Sequence, residues 1–213
     1  MNKKAIILIG GGGHCKSCID VIESTNEFEI AGIVDSQLAL GETVFGYPVL
    51  GKDEDLATLR KKYEHALITV GQIRSAKVRI KIFELLQSLE FNLPNIVAAT
   101  AHIGKNVQLG QGTIVMHQVL VNSDTTIGDN CIINSKALVE HDCKVGDHTH
   151  ISTAATINGT VTIGSECFIG SRVSFVNNID ITDNVFIGIN STISKSITEP
   201  GMYLRNPVKK QNK

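Results

Sequence analysis

The residues best suited to chemistry fall into two groups far apart in the chain. One is Glu140-His141-Asp142, a histidine between two carboxylates. A carboxylate beside an imidazole strengthens it as a base, and an imidazole can take up and release a proton near neutral pH, which suits general acid–base catalysis. Successive strand residues point to opposite faces, so His141 and Asp142 can touch only where the chain turns a corner. Spacing alone does not separate this reading from an ordinary surface histidine.

The other group is Gly10-Gly11-Gly12-Gly13-His14, which follows an apolar run and opens a helical stretch. Free N–H groups at a helix start favour an anion such as a phosphate. The dinucleotide pattern G-x-G-x-x-G needs a third glycine, but Cys15 or Lys16 stands at that position, so a full NAD site is not expected. Asp35, after the second apolar run, can accept a hydrogen bond from a ribose or a base, and Gly71, after the third, would face the same crevice. A tight turn without a ligand is the alternative. Cys15-Lys16-Ser17-Cys18 has C-x-x-C spacing, yet no second pair completes a zinc set and a redox site does not suit a phosphate turn. His117, His141, His148 and His150 lie in one region, but His117, His141 and His150 do not stack in one column of an 18-residue coil, so no metal site within one chain is expected.

These groups need elements to hold them. Before residue 95, apolar runs alternate with charged helical stretches: strands at 4–9, 29–34, 66–70 and 95–98, helices at 14–23, 53–63 and 73–89. That order predicts a small parallel Rossmann-like βαβ sheet ending near Pro94. Beyond residue 100 an aliphatic residue, or Phe175, recurs every sixth position from Ile103 to Ile193, often followed by glycine. A six-residue period marks a parallel β-helix, one strand and one corner per hexad, three hexads per triangular coil. Cys131, Cys143 and Cys167 fall at the small interior position, where thiols are structural. The boundaries expected are 1–95 for the α/β domain, 96–195 for the solenoid and 196–213 for a tail.

Composition narrows the function classes. In 213 residues, 20 Lys+Arg against 21 Asp+Glu give a net charge of -1, and neither half is basic, so neither nucleic acid nor an anionic membrane is an expected partner. The longest apolar run is far short of the roughly 20 residues that span a bilayer. With no signal-peptide pattern and an odd count of five cysteines, a soluble cytoplasmic protein with reduced thiols is expected.

With these motifs in view, the chain resembles the sialic acid O-acetyltransferase and nucleotide-aminosugar N-acetyltransferase family, and most of all its UDP-4-amino-sugar (bacillosamine-type) members. The likeness rests on Gly13-His14, Asp35, Val70-Gly71, the hexads, Ile133-Asn134, the stretch Val139 to Cys143, and His148 to Ser152. It implies a left-handed solenoid, a homotrimer, acetyl-CoA between neighbouring solenoids, and a nucleotide sugar in the N-terminal domain. It also implies His141 as general base with Asp142 increasing its basicity. His14, Cys15, Lys16, Asp35, Ser36 and Gly71 would hold the nucleotide sugar, and His150, Ser171 and Ile189 would line the acetyl-CoA groove. The implied reaction is N-acetylation of the C4 amine of a UDP-linked 4-amino-4,6-dideoxy sugar, for bacterial surface glycan synthesis. The alternatives are a GDP- or dTDP-linked 4-amino sugar, a sialic acid hydroxyl, or a non-catalytic nucleotide-sugar scaffold. The sequence departs from the family at Arg205-Asn206-Pro207-Val208, where Gly-Asn-Pro-Ala is usual, and at Ser152-Thr153-Ala154, where Ser-Pro-Gly is usual.

Overall fold

The computed structural model describes residues 3–204; the departure at Arg205-Asn206-Pro207-Val208 lies outside them. The chain opens with β1 (Lys4–Ile9), α1 (Gly13–Thr25) and β2 (Phe28–Val34). A hairpin of β3 (Thr43–Val44) and β4 (Tyr47–Gly51) follows, then a short 3-10 turn, α2 (Leu56–Leu59), β5 (His65–Ile68) and α3 (Lys77–Ser88). The sheet order is β3-β4-β2-β1-β5, parallel throughout except for β3. β1 is an interior strand between β2 and β5, and its Ile6, Ile7, Leu8 and Ile9 are all buried, which is why it reads as an unbroken apolar run rather than an alternation.

Three expectations change here. The hairpin was not foreseen; its Phe45-Gly46 turn has φ of 50° and 86°, a left-handed pair that matches strand twist but has an unusual residue at its first position. The expected helix at 53–63 reduces to a 3-10 turn and four α-helical residues. The strand near residue 95, β6 (Ile96–Val97), does not join the N-terminal sheet but pairs with Ile114–Val115 as the first rung of the solenoid.

From there the chain winds as a left-handed parallel β-helix. Its three faces are sheets of seven, six and five strands that begin at Ile96–Val97, His102–Ile103 and Gln108–Leu109. Partners one coil apart differ by 18 residues, as in Leu120↔Leu138 and Val121↔Val139. Every sixth residue from Asn106 to Asn190 has positive φ near 60°, Gly112 included: each corner turns through one left-handed residue. Ala154 holds such a corner with φ 56°, so the altered Ser152-Thr153-Ala154 stretch keeps the six-residue register and adds no loop. The interior column carries hydroxyls and thiols as well as Val and Ile. Thr113, Cys131 and Thr149 each reach a corner carbonyl one coil on, satisfying backbone groups that would otherwise be buried unpaired.

The α/β domain lies across the first face from edge to edge. At the third–first corner, the guanidinium of Arg79 on α3 donates to the carbonyls of Ile68 (3.2 Å), Val70 (2.7 Å) and Asn130 (3.0 Å), and to the Asn130 side chain. Gln72 Nε2 donates to the carbonyls of His148 and Cys167. At the first–second corner, His117 meets Asp20 of α1 at 2.9 Å. Arg79 is 1% exposed; burial lowers its pKa to about 10, so the cation persists at neutral pH and its carbonyl partners matter.

Candidate active site

His141 sits at the second–third corner, between the strands Leu138–Val139 and Lys144–Val145. Asp142 is the left-handed residue there, with φ 58°. That single conformation does what an extended strand forbids: it brings adjacent side chains together, with His141 Nδ1 and Asp142 Oδ2 2.7 Å apart. Nδ1–H donates to the carboxylate, which leaves Nε2 as the acceptor nitrogen. Both side chains are about half exposed. Glu140, the other neighbour, turns away and accepts from Asn122 Nδ2 at 2.7 Å. One coil on, Gly159 lies under the ring: a Cβ there would stand 2.7 Å from Cε1 and 2.8 Å from Nε2 of His141. Sequence reasoning missed this glycine, although its offset of 18 from His141 was a usable signal.

The glycine turn is a second candidate site. Gly10 has φ 106°, and a Cβ on it would strike Val70 at 2.5 Å, so only glycine fits. Gly12 and Gly13 instead face open space. α1 has no side-chain cap and no acidic residue in its first turn, so its leading N–H groups are free for an anion. Gly10, Asp35 and Ser36 line a crevice of about 250 Å³, with Asp53, Val78 and Lys81 opposite. Lys81, a cation on this rim, was not foreseen, because a lysine in a charged helical stretch carries no distinguishing signal.

The other expected binding residues differ in what they can offer. Asp35 accepts from the N–H groups of Gly11 (2.6 Å), Gln37 (2.8 Å) and Leu38 (3.1 Å). Burial alone would raise its pKa, but these three bonds outweigh it and hold the carboxyl below the usual range. Cys15 is fully buried and its N–H is bonded to the Gly12 carbonyl, so its side chain faces the core and not the crevice. Lys16 is exposed, with Nζ 5.7 Å from the Phe45 ring centroid. His14 packs against Gly71, and its Nε2 is buried without a hydrogen-bond partner; burial, Arg79 and His150 lower its pKa to about 4. His150 on the first face is 6% exposed. Both its nitrogens are engaged, Nδ1 with the Gln72 carbonyl at 2.6 Å and Nε2 with Asn134 at 3.2 Å. Ser171 and Ile189 stack one coil apart at the first–second corner, joined by the Asn190 N–H to Ser171 carbonyl bond. Ser171 Oγ lies 3.0 Å from Ser152 Oγ, and Ile189 is 68% exposed.

His14 and His150 lie near enough to interact, but the His141–Asp142 pair does not meet the other groups within one chain. The α/β domain covers the first face, and the His141 corner is the vertex of the prism opposite that face.

Comparison with known proteins fits both halves of the chain. The PglD N-terminal domain family matches residues 5–86, and the bacterial transferase hexapeptide family (six repeats) matches 124–159. Among solved structures, a histidine-to-asparagine mutant of perosamine N-acetyltransferase from Caulobacter crescentus, in complex with CoA and GDP-perosamine, superposes with TM-score 0.89 at 28% identity, covering 98% of this chain and 97% of its own. The acetyltransferase domain of PglB from Neisseria gonorrhoeae, in complex with acetyl coenzyme A, gives TM-score 0.87 at 28% identity, covering 98% and 99%. The chain thus carries a PglD-type N-terminal domain and bacterial transferase hexapeptide repeats, and over nearly its whole length it is similar to nucleotide-aminosugar N-acetyltransferases of the left-handed β-helix fold. WeeI from Acinetobacter baumannii, at 22% identity and TM-score 0.79, covering 97% and 99%, shares the fold. No curated protein matches the sequence.

The hexapeptide transferase match and the CoA-bound neighbours make the chain an acyltransferase, and its thiols fit that chemistry only as structure. All five cysteines are free and buried. Burial pushes Cys131 up to about 12 and Cys167 up to about 11, so neither is a ready nucleophile. Among the described residues no group of three or more His, Cys, Asp or Glu side chains is placed to hold a metal ion, and no helix is long and apolar enough to cross a membrane.

Proposed function

We propose that the protein transfers the acetyl group of acetyl-CoA to the C4 amine of a nucleotide-linked 4-amino-4,6-dideoxy sugar, with UDP as the carrier, as a step in bacterial surface glycan synthesis. The observation that carries this is the His141–Asp142 pair at 2.7 Å, with Nε2 left as acceptor. In this mechanism the neutral amine attacks the thioester carbonyl while Nε2 accepts the N–H proton. The tetrahedral oxyanion then collapses and expels CoA as its thiolate, so no covalent enzyme intermediate is required. Asp142 holds the imidazole in the Nδ1–H tautomer and stabilises the imidazolium.

In this reading the domain 1–95 holds the nucleotide sugar. The free N–H groups at Gly12, Gly13 and His14, with Lys16, take the diphosphate. The crevice at Asp35 and Ser36 takes the nucleoside, with Asp35 shaping the loop around it and Gly71, next to the lining residue Val70 and against His14, leaving room at its edge. His150, Ser171 and Ile189 line the path of acetyl-CoA along the solenoid domain, 96–195. Because the His141 corner and the crevice lie on opposite sides of the prism, the reactants converge between copies. This supports a homotrimer in which one chain's base serves its neighbour's crevice; a soluble, cytoplasmic protein is part of the same reading.

A GDP-linked 4-amino sugar is the second reading, favoured by the GDP-perosamine bound to the similar Caulobacter enzyme. The test is CoA-thiol release with UDP-, GDP- and dTDP-linked 4-amino sugars. Turnover confined to the UDP sugar is the expected result. Turnover with GDP-perosamine alone replaces the carrier, and turnover with none overturns N-acetylation.

A further inference from the structure

We propose that Asn177 is a further residue of the acyl-transfer site, its carboxamide reaching past Gly159 to donate a hydrogen bond to the thioester carbonyl beside His141. This rests on the reading of His141 as the base.

Positions 123, 141, 159 and 177 form one column at the second–third corner, 18 residues apart, occupied by Ser, His, Gly and Asn. The glycine is set by space, not by backbone conformation: Gly159 is not among the positive-φ glycines. Nor does it occupy the position after an aliphatic residue where other solenoid glycines stand. The place its Cβ would take lies 2.8 Å from His141 Nε2 and 3.3 Å from Asn177 Nδ2. Two polar groups from different coils therefore converge on one small volume at the corner. Asn177 is exposed, and its side chain has no hydrogen-bond partner among the described residues.

A Cβ at 159 would strike the imidazole and press on the Asn177 carboxamide, so glycine is what lets both side chains lie over this corner. A thioester carbonyl docked against their exposed edges would meet a base and a hydrogen-bond donor together. Acyl transfer needs that pairing, because the carbonyl oxygen gains negative charge as the amine loses its proton. No new bond is made to Asn177; its N–H stabilises the oxyanion until the thiolate leaves.

The test compares Asn177→Ala, Asn177→Asp, Gly159→Ala and His141→Ala in the full-length protein. The first readout is the infrared stretch of carbonyl-labelled acetyl-CoA bound without acceptor. The expected result is a shift to lower frequency in the wild type that is lost in both Asn177 variants and in Gly159→Ala, while CoA affinity and the melting temperature of the Asn177 variants stay unchanged. The second is turnover with the accepted amino sugar, where Asn177→Ala should lower kcat about 100-fold with KM little changed. A carbonyl stretch identical in wild type and Asn177→Ala overturns the inference, as does a rise in KM at unchanged kcat. His141→Ala separates the two readings: full activity there removes His141 as base, whereas an inactive His141→Ala beside a fully active Asn177→Ala removes only Asn177.

Discussion

The Nδ1 of His150, on the solenoid, lies 2.6 Å from the carbonyl oxygen of Gln72, in the loop between β5 and α3. The bond fixes the tautomer: Nδ1–H donates to the carbonyl, and Nε2 accepts from Asn134. A second proton has no acceptor at either nitrogen. Burial, with Arg79 adding to it, lowers the His150 pKa to about 4 although the Gln72 bond opposes the shift.

This gives stability a pH dependence of known sign. His14 and His150 are neutral in the folded state down to about pH 4, whereas in the unfolded chain they take a proton near pH 6.5. Between these values the unfolded state binds more protons, so stability falls as pH is lowered from about 7 to 4, by up to about 1.4 kcal/mol per pH unit for each histidine. Urea midpoints across that range should show the slope, and His150→Gln should flatten it; an unchanged slope would refute the assignment to His150.

At the proposed base, His141→Asn should lower kcat by about 100-fold or more. Asp142→Asn keeps the corner residue type suited to positive φ but removes the charge, so a smaller loss, about 10-fold, is expected with the fold intact. Steady-state kinetics together with circular dichroism check both. Equal losses in the two variants would mean that the carboxylate does more than orient the ring.

Mixed assemblies test whether the site is shared. His141→Ala lacks the base, and Gly13→Asp puts a negative charge at the helix start where phosphate is expected to bind. Each variant alone should be nearly inactive. Mixed, dissociated and reassembled, they should recover activity, because an intact crevice on one chain then meets an intact His141 on another. No recovery in verified mixed oligomers would place the site within a single chain.

The corner at Ala154 offers a stability test. A non-glycine residue with φ 56° carries a steric cost of about 1–2 kcal/mol, which glycine avoids at an entropic cost of roughly 0.5–1 kcal/mol. Ala154→Gly should therefore raise the unfolding free energy by about 0.5 kcal/mol, measured by chemical denaturation. A clear loss of stability would show that the methyl group packs.

The solenoid was legible because its signal repeats: an interior position that recurs every six residues survives any single exception, as Phe175 shows. The placement of Cys131, Cys143 and Cys167 followed from the same register. What was hidden depends on contacts between distant segments. Arg79 reads as one more charge on a helix, and only the fold shows it buried against Asn130, 51 residues away. The Phe45-Gly46 turn was missed because Phe is seldom chosen for a left-handed position. The His141–Asp142 contact could be posed from the sequence but not resolved, since it depends on one φ angle.

The uninterrupted succession of left-handed corners from Asn106 to Asn190 also limits how this chain can change length. One residue inserted in a rung would turn its inward side chains outward and displace every later corner. Adding or removing 18 residues restores each side chain to its column. Insertions and deletions in the solenoid core are therefore tolerated as whole coils or as bulges outside a corner, and a coil gained or lost between His141 and Asn177 would change the spacing of the proposed base and hydrogen-bond donor while leaving the architecture intact.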